Sequence, residues 1–331
     1  MVLLSFRVVR PKKMQIFAQR RNNISSTLSL ASVKKFECCS TMKVFEFRRY
    51  VKIGISLAYY ALRVIVCCGS RLAGRSCPPR LTILYYHAVS SEDRIRFLWQ
   101  MDALDRRAHV LPASYRGELP EGKKCVAITF DDALVSVADN ALPELAIRSF
   151  HSTIFVPVDW IGRVPGWAMK KSDHATVTEQ SEAVMSSDQL RALDSSLVSL
   201  GSHSLTHCSM VEINPTHAQK EIEHSRHRLA ELSGREVHEF SFPYGEYDEP
   251  AVAICRAAGY TTVYSIRAQG TDTTTAGLLR GRTKVDPSDG RIEFFLKFNG
   301  AYDWMGYNVS LRKMLRIGFG KRVRRVRIQS H

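Results

Sequence analysis

The sequence predicts an α/β fold built on a parallel sheet. Short apolar runs of strand length recur along the chain, and amphipathic helical stretches separate them. Length is the third observation. The chain has 331 residues, enough for one barrel of about 200–250 residues with extensions on both sides. Strand–helix alternation leaves two arrangements, a sheet closed as a barrel or an open one.

The elements follow in order from residue 81. Residues 81–89 read as a strand and 96–108 as an amphipathic helix. Residues 124–130 form a strand whose apolar run is Cys125-Val126-Ala127-Ile128. A helix is expected over 134–147 despite Pro143, and a strand over 152–156. Residues 159–187 read as an irregular insert, with Gly162, Pro165, Gly166 and Trp167. A short helix over 188–193 precedes a strand over 197–202. Asn214 caps a helix that has Pro215 at its first position and stops at Gly234. A strand over 239–242, a helix over 249–258 closed by Gly259, and a strand over 261–265 complete the pattern.

Charge is unevenly placed. The formal net charge is +15. Residues 1–80 hold 16 Lys/Arg against 2 Asp/Glu, and residues 311–331 hold 8 Lys/Arg and no acid. The centre, 81–310, holds 23 against 30 and is mildly acidic. A nucleic-acid domain carries its basic patch on the fold itself, so nucleic acid is not expected as a partner. Basic tails suit an anionic membrane surface.

Four segments result. Residues 1–41 read as a disordered basic leader, with Met42 as a candidate start. Residues 42–80 form an amphipathic, membrane-associated helix and a linker that ends at Pro78-Pro79. Residues 81–310 read as the folded domain, and 311–331 as a basic tail. On a helix over 51–70, Lys52, Ser56, Tyr59, Arg63 and Ser70 share one face. Ile53, Leu57, Tyr60, Ala61, Val64 and Cys68 lie on the other. Three roles are open to it: an interfacial anchor, a single span, or a helix packed on the protein's own core. Eight cysteines without a CxxC pair suggest no disulfide framework, which favours a reducing compartment and the cytoplasmic face of a membrane.

Three motifs carry chemistry. Thr129-Phe130-Asp131-Asp132 ends one strand, Ser202-His203-Ser204-Leu205-Thr206-His207 follows another, and Phe242-Pro243-Tyr244-Gly245 closes a third. Two carboxylates and two imidazoles exceed the three protein ligands of a catalytic zinc-type site. One carboxylate is then free to take a proton. The plainer reading has one Asp capping the next helix. If His203 and His207 lie on one helical turn, they point the same way. His217, His224 and His227 sit among Lys220, Glu221, Glu223 and Arg226 and read as a solvated helix face.

In this order and spacing the motifs resemble the polysaccharide deacetylase family, the carbohydrate esterase family 4 group with the NodB homology domain. The resemblance covers residues 81–306 and feels closest to the exopolysaccharide deacetylase branch. It implies a distorted (β/α)7 barrel. It also implies Asp131 as general base, Asp132, His203 and His207 as ligands of a divalent metal such as Zn2+, and the Tyr244 N–H as an oxyanion donor. The reaction would be removal of an N-acyl group from an amino sugar of a polysaccharide or lipid-linked glycan.

The sequence departs from the family pattern twice. Ser241 stands where the family often has an arginine before Pro-Tyr-Gly. The late Leu-His element is absent, since the histidine after His238 is the terminal His331. Arg280 or Arg282 is the expected substitute cation. His87, in Tyr85-Tyr86-His87, is either the substitute acid or a buried structural histidine. Two other functions stay open: a non-catalytic metal-containing carbohydrate-binding protein, and a membrane or nucleic-acid adaptor acting through the basic tails.

Overall fold

The computed structural model describes residues 46–167 and 182–306. The tails expected at 1–41 and 311–331 lie outside the described residues.

Nine strands form one parallel sheet. They are β1 (Leu81–Tyr86), β2 (Ala108–Val110), β3 (Lys124–Phe130), β4 (Ser152–Val156), β5 (Val198–Ser202), β6 (Glu239–Ser241), β7 (Thr262–Ser265), β8 (Leu279–Gly281) and β9 (Thr283–Lys284). The helices are α1 (Glu46–Leu72), α2 (Arg94–Arg107), α3 (Leu142–Ile147), α4 (Ser187–Ala192), α5 (Pro215–Ser233), α6 (Glu249–Ala257) and α7 (Arg291–Phe298).

Strand order runs β8-β7-β6-β5-β4-β3-β1-β9. β8 pairs with β7 at one edge and β9 with β1 at the other. Only Arg282 separates β8 from β9. One short segment therefore bridges both edges and nearly closes a seven-stranded barrel. Closure selects the barrel over the open sheet.

Every residue of β1 is buried, as is all of β3 after Lys124. Strands covered on both faces must be apolar throughout, as these runs are. Alternation still sorts the side chains. Leu81, Ile83, Cys125 and Ala127 point into the barrel with Phe155 and Tyr264. Leu84, Tyr86, Val126, Ile128 and Phe130 face the surrounding helices. The inner space is small and is shared with buried polar side chains, including Arg280, Arg282, Thr129 and Glu239.

Several elements differ from the sequence reading. The helix expected over 134–147 is broken. A π turn (Val137–Ala141) precedes α3, and Pro143 sits in the first turn of α3. A proline is tolerated there because that N–H needs no helical partner. β2, β8, β9 and α7 were not anticipated. Each strand among them is three residues or fewer, below the length at which periodicity can be read. Within the insert, Val184 bridges to Leu134 and Ile161, and residues 168–181 lie outside the described residues.

Residues 46–55 form the first turns of α1. From Ser56 onward its polar face meets the barrel domain. The Ser56 hydroxyl accepts from Trp304 Nε1 at 2.9 Å, and Arg63 donates to the Gly300 carbonyl at 2.9 Å. Arg63 also lies 3.5 Å from Asp303, and Tyr60 meets Phe295 edge-on. Ser56 and Arg63 dock from the side read as polar, and Tyr60 docks from the side read as apolar. Cys67 and Cys77 form a disulfide, which corrects the expectation of unpaired thiols. The preference for a reducing compartment loses its basis with it.

Candidate metal centre

β3 delivers two adjacent acids at its C-terminal end. Asp131 and Asp132 are both buried. The chain turns sharply beyond them, with Asp132 at φ 70° and Ala133 at φ 50°. Left-handed backbone costs a non-glycine residue roughly 1 kcal/mol or more, and such strain gathers at functional sites.

β5 delivers the two imidazoles. The His203 N–H continues the ladder to the Val156 carbonyl at 2.9 Å. After it the chain forms a loop, so the two histidines do not share a helical turn. Ser204 and His207 adopt left-handed conformations, at φ 64° and 63°. The Ser204 hydroxyl accepts from the His207 N–H at 3.0 Å.

A buried carboxylate holds this loop. Glu221 on α5 accepts from the Leu205 and Thr206 N–H groups, each at 3.0 Å, and from the Thr206 hydroxyl at 2.9 Å. Glu221 is only 2% exposed. The sequence reading placed it on a solvated helix face. The histidine loop folds over that face and covers it.

Three ligand atoms converge. His207 Nε2 lies 3.2 Å from Asp132 Oδ1, and His203 Nε2 lies 3.7 Å from it. Candidate atoms of all three residues lie within 4.8 Å of one another. A tetrahedral ion with bonds of about 2.1 Å separates its ligands by about 3.4 Å, so both distances suit a zinc-type ion. Asp132 Oδ1 is buried with no hydrogen-bond partner among the described residues. Such an atom is costly unless something occupies it, and a cation would do so.

The His203 imidazole is oriented as a ligand would be. His203 Nδ1 meets the Ser241 carbonyl at 2.7 Å. A carbonyl only accepts, so Nδ1 carries the hydrogen and Nε2 keeps its lone pair. Burial pushes His203 down to about 4, overriding the nearby aspartates, so it is neutral at pH 7. His207 is stacked on Trp167, with ring centres 4.1 Å apart, and touches the Tyr244 ring edge-on at 4.9 Å.

Asp131 is clamped separately. Arg282 Nη1 donates to its Oδ1 at 2.7 Å and Nη2 to its Oδ2 at 2.9 Å. The same guanidinium donates to the Ser241 hydroxyl at 2.7 Å and the Thr129 hydroxyl at 3.2 Å. Tyr85 and Phe155 present their rings to it at 4.8 and 5.1 Å. Burial raises the Asp131 carboxyl, but Arg282 and His203 outweigh that and hold it below the usual carboxylate range. Burial likewise raises Asp132, and His207 more than reverses it.

Of the two candidate arginines, the structure places Arg282 at the acid and Arg280 elsewhere. Arg280 donates to the Ala113 carbonyl, beside the buried Glu239–Tyr264 pair. The Ser241 departure is explained by the same contact. A small hydroxyl there leaves room for a guanidinium arriving from the closing strand, and hydrogen-bonds it.

His87 is half-buried just beyond β1. Burial lowers its pKa, the charges of Asp132 and Asp131 raise it, and Lys284 and Arg282 lower it, with a net fall. Both aspartates therefore act on it electrostatically. Tyr244 adopts φ 58° in the Pro243–Gly245 turn. Gly245 follows at φ 66°, where a Cβ would meet the Ile266 Cγ1 at 2.2 Å, so no larger residue fits. Sequence reasoning missed Glu221, Trp167 and the Ser241 carbonyl, since each acts through a contact that only folding creates.

These features define a parallel barrel with a metal-ready acid–imidazole triad beside a clamped carboxylate. Comparison with known proteins agrees. A family model for polysaccharide deacetylase matches residues 118–263. The YxkH protein of Bacillus subtilis (strain 168), whose name places it among polysaccharide deacetylases, is 26% identical over 194 residues. That match takes in 55% of this chain and 63% of YxkH, so the chain spans less than two thirds of that relative. The Streptococcus pyogenes deacetylase PplD, solved in complex with acetate, is 20% identical, with a TM-score of 0.54 over 67% of this chain and 99% of PplD. IcaB from Ammonifex degensii is 23% identical, with a TM-score of 0.54 over 69% of this chain and 97% of IcaB. These two share the fold. Residues 118–263 of this chain thus match the polysaccharide deacetylase family model.

Proposed function

We propose that this chain is a metal-dependent hydrolase that removes an N-acyl group, acetyl in the simplest case, from an amino sugar of a polysaccharide or lipid-linked glycan. The observation that carries the reading is the Asp131–Arg282 pair beside the Asp132, His203 and His207 triad. Those three residues would hold the ion, and their donor set suits Zn2+. When bound, the ion polarises the acyl carbonyl and acidifies a neighbouring water.

The protein's own groups do the rest. Asp131 takes the proton of the attacking water. Each carboxylate oxygen keeps a further lone pair after binding Arg282, so the clamp does not block that role. Arg282 keeps the acid ionised and fixes its plane. The Tyr244 N–H donates to the developing oxyanion, and one such donor is typically worth about 3 kcal/mol. His87, left neutral by burial, relays to the departing amine the proton that Asp131 takes from the water. The alternative of a binding-only protein rested on an incomplete set of acid and arginine; Arg282 at Asp131 supports the arginine half of the catalytic reading, and His87 is the acid it requires.

α1 supports membrane association, peripheral or through a single anchor. It is a helix long and apolar enough to cross a bilayer by length and composition. The basic tails fit an anionic surface.

The test is amine release from an N-acetylglucosamine oligomer with zinc. Turnover that disappears in Asp131→Asn supports the proposal. A metal-loaded protein that releases no amine from any acylated amino sugar overturns it.

A further inference from the structure

Beyond Ser56, α1 has two unlike sides. Ser56, Tyr60 and Arg63 meet the barrel domain. Leu57, Leu62, Val64, Ile65, Val66 and Leu72 are exposed, Leu62 at 59%, Ile65 at 68% and Leu72 at 92%. At 3.6 residues per turn they span an arc of about 200°. Arg63 and Arg71, the charged residues of this part of the helix, fall outside that arc. An apolar surface of this extent marks an interaction site.

The docked side fixes where that surface faces. Arg63 binds Gly300, and a Cβ on Gly300 would meet both Arg63 and the Thr82 hydroxyl. Thr82 is the second residue of β1. Lys124, the first residue of β3, has its pKa lowered by burial and by the charges of Arg63 and Arg71. The helix therefore crosses the N-terminal end of the barrel, beneath β1 and β3. His87 and Asp131 stand at the opposite ends of these strands, about 20 Å away for a six-residue strand.

We propose that α1 lies flat in the headgroup region of an anionic membrane, so that the N-terminal end of the barrel rests on the bilayer and the metal centre opens away from it. The occupant is lipid because the arc is apolar and its border is cationic. Arg71, Arg75 and Arg80 are all exposed there and complement anionic headgroups. A spanning helix is disfavoured because one side of α1 is already covered by polar contacts with the domain. Resting on the deacetylase reading, this geometry selects the substrate class. The mouth meets a polysaccharide strand held above the surface, not a sugar within the headgroup layer.

The experiment uses the full chain and vesicles of phosphatidylcholine with or without phosphatidylglycerol. In a background with Cys38, Cys39, Cys68 and Cys208 changed to Ser, single cysteines at 57, 65, 72 and 164 carry a fluorescent label. Val164 is exposed in the insert that also supplies Trp167 to the metal site. The chain should float with the anionic vesicles. Labels at 57, 65 and 72 should be quenched alike by shallowly brominated lipid, and the label at 164 should not. Leu62→Glu with Ile65→Glu should abolish flotation and leave amine release from a soluble oligomer unchanged. Flotation that is absent, or indifferent to that double change, overturns the membrane contact. A steady depth gradient from 57 to 72 overturns the flat placement, and quenching at 164 equal to that at 65 overturns the orientation. Absence of amine release with the expected quenching pattern sinks the deacetylase reading alone.

Discussion

Arg282 and Asp131 stand 151 positions apart in sequence and meet through two parallel hydrogen bonds of 2.7 and 2.9 Å. The pair joins the closing strand segment to the end of β3, so closure of the barrel and assembly of the site are one event. Both side chains are buried, and Arg282 is fully so. A buried acid left without its cation is strongly destabilising.

Arg282→Met should therefore cost about 3–5 kcal/mol in denaturant unfolding. It should also move the acidic limb of the pH–rate profile upward, because Asp131 loses the cation that keeps it ionised. Arg282→Lys retains the charge but not the two-pronged geometry and should fall between. A Met variant with wild-type stability and an unmoved limb would refute the role given to Arg282.

Glu221 is expected to act on metal affinity through the loop it holds. Glu221→Ala removes the acceptor of three donors and should weaken zinc binding by roughly 10–100-fold, the range for partners that orient ligands. Glu221→Gln keeps one oxygen and should recover part of the loss. Zinc titration by competition with a chelator checks this. Equal affinities in all three proteins would reduce Glu221 to a surface-covering role.

His203 gives the metal-free protein a pH signature. Its folded pKa, about 4, lies below the ordinary value of 6.5. The unfolded chain therefore binds the proton more readily, and the stabilisation is complete above pH 6.5. It is lost progressively as pH falls towards 4, by an amount on the order of 3 kcal/mol. Asp131 and Asp132, also depressed, lose their contributions at lower pH still. Urea midpoints between pH 7 and 4 should fall in the wild type and fall less in His203→Gln. Parallel curves would contradict the assignment.

His87→Ala should slow turnover by roughly 100-fold or more, the contribution of a positioned general acid. Metal content should be unchanged, since His87 is not among the converging ligand atoms. An unchanged rate would return His87 to a structural role.

The legible parts of this protein were those written in contiguous residues. Asp131-Asp132 and the two histidines lie just beyond strands that burial makes apolar, so motif and element identify each other. The choice between Arg280 and Arg282 was not legible. Both lie on a closing segment too short to show a period, and which one reaches Asp131 depends on how that segment splits between two edges. Glu221 was hidden for a different reason. On α5 it has the spacing of a wet face, and only the left-handed turns at Ser204 and His207 bring the loop down over it. The docked polar side of α1 inverted the usual expectation, because Trp304 and Gly300 supply its partners from the far end of the domain.

The most direct test of the central claim is the metal content of the purified full chain, by elemental analysis after dialysis against zinc. The account predicts about one zinc per chain in the wild type and in Asp131→Asn. It predicts loss of the ion in His203→Ala and in His207→Ala, where three ligands become two. Full zinc in either histidine variant would contradict it.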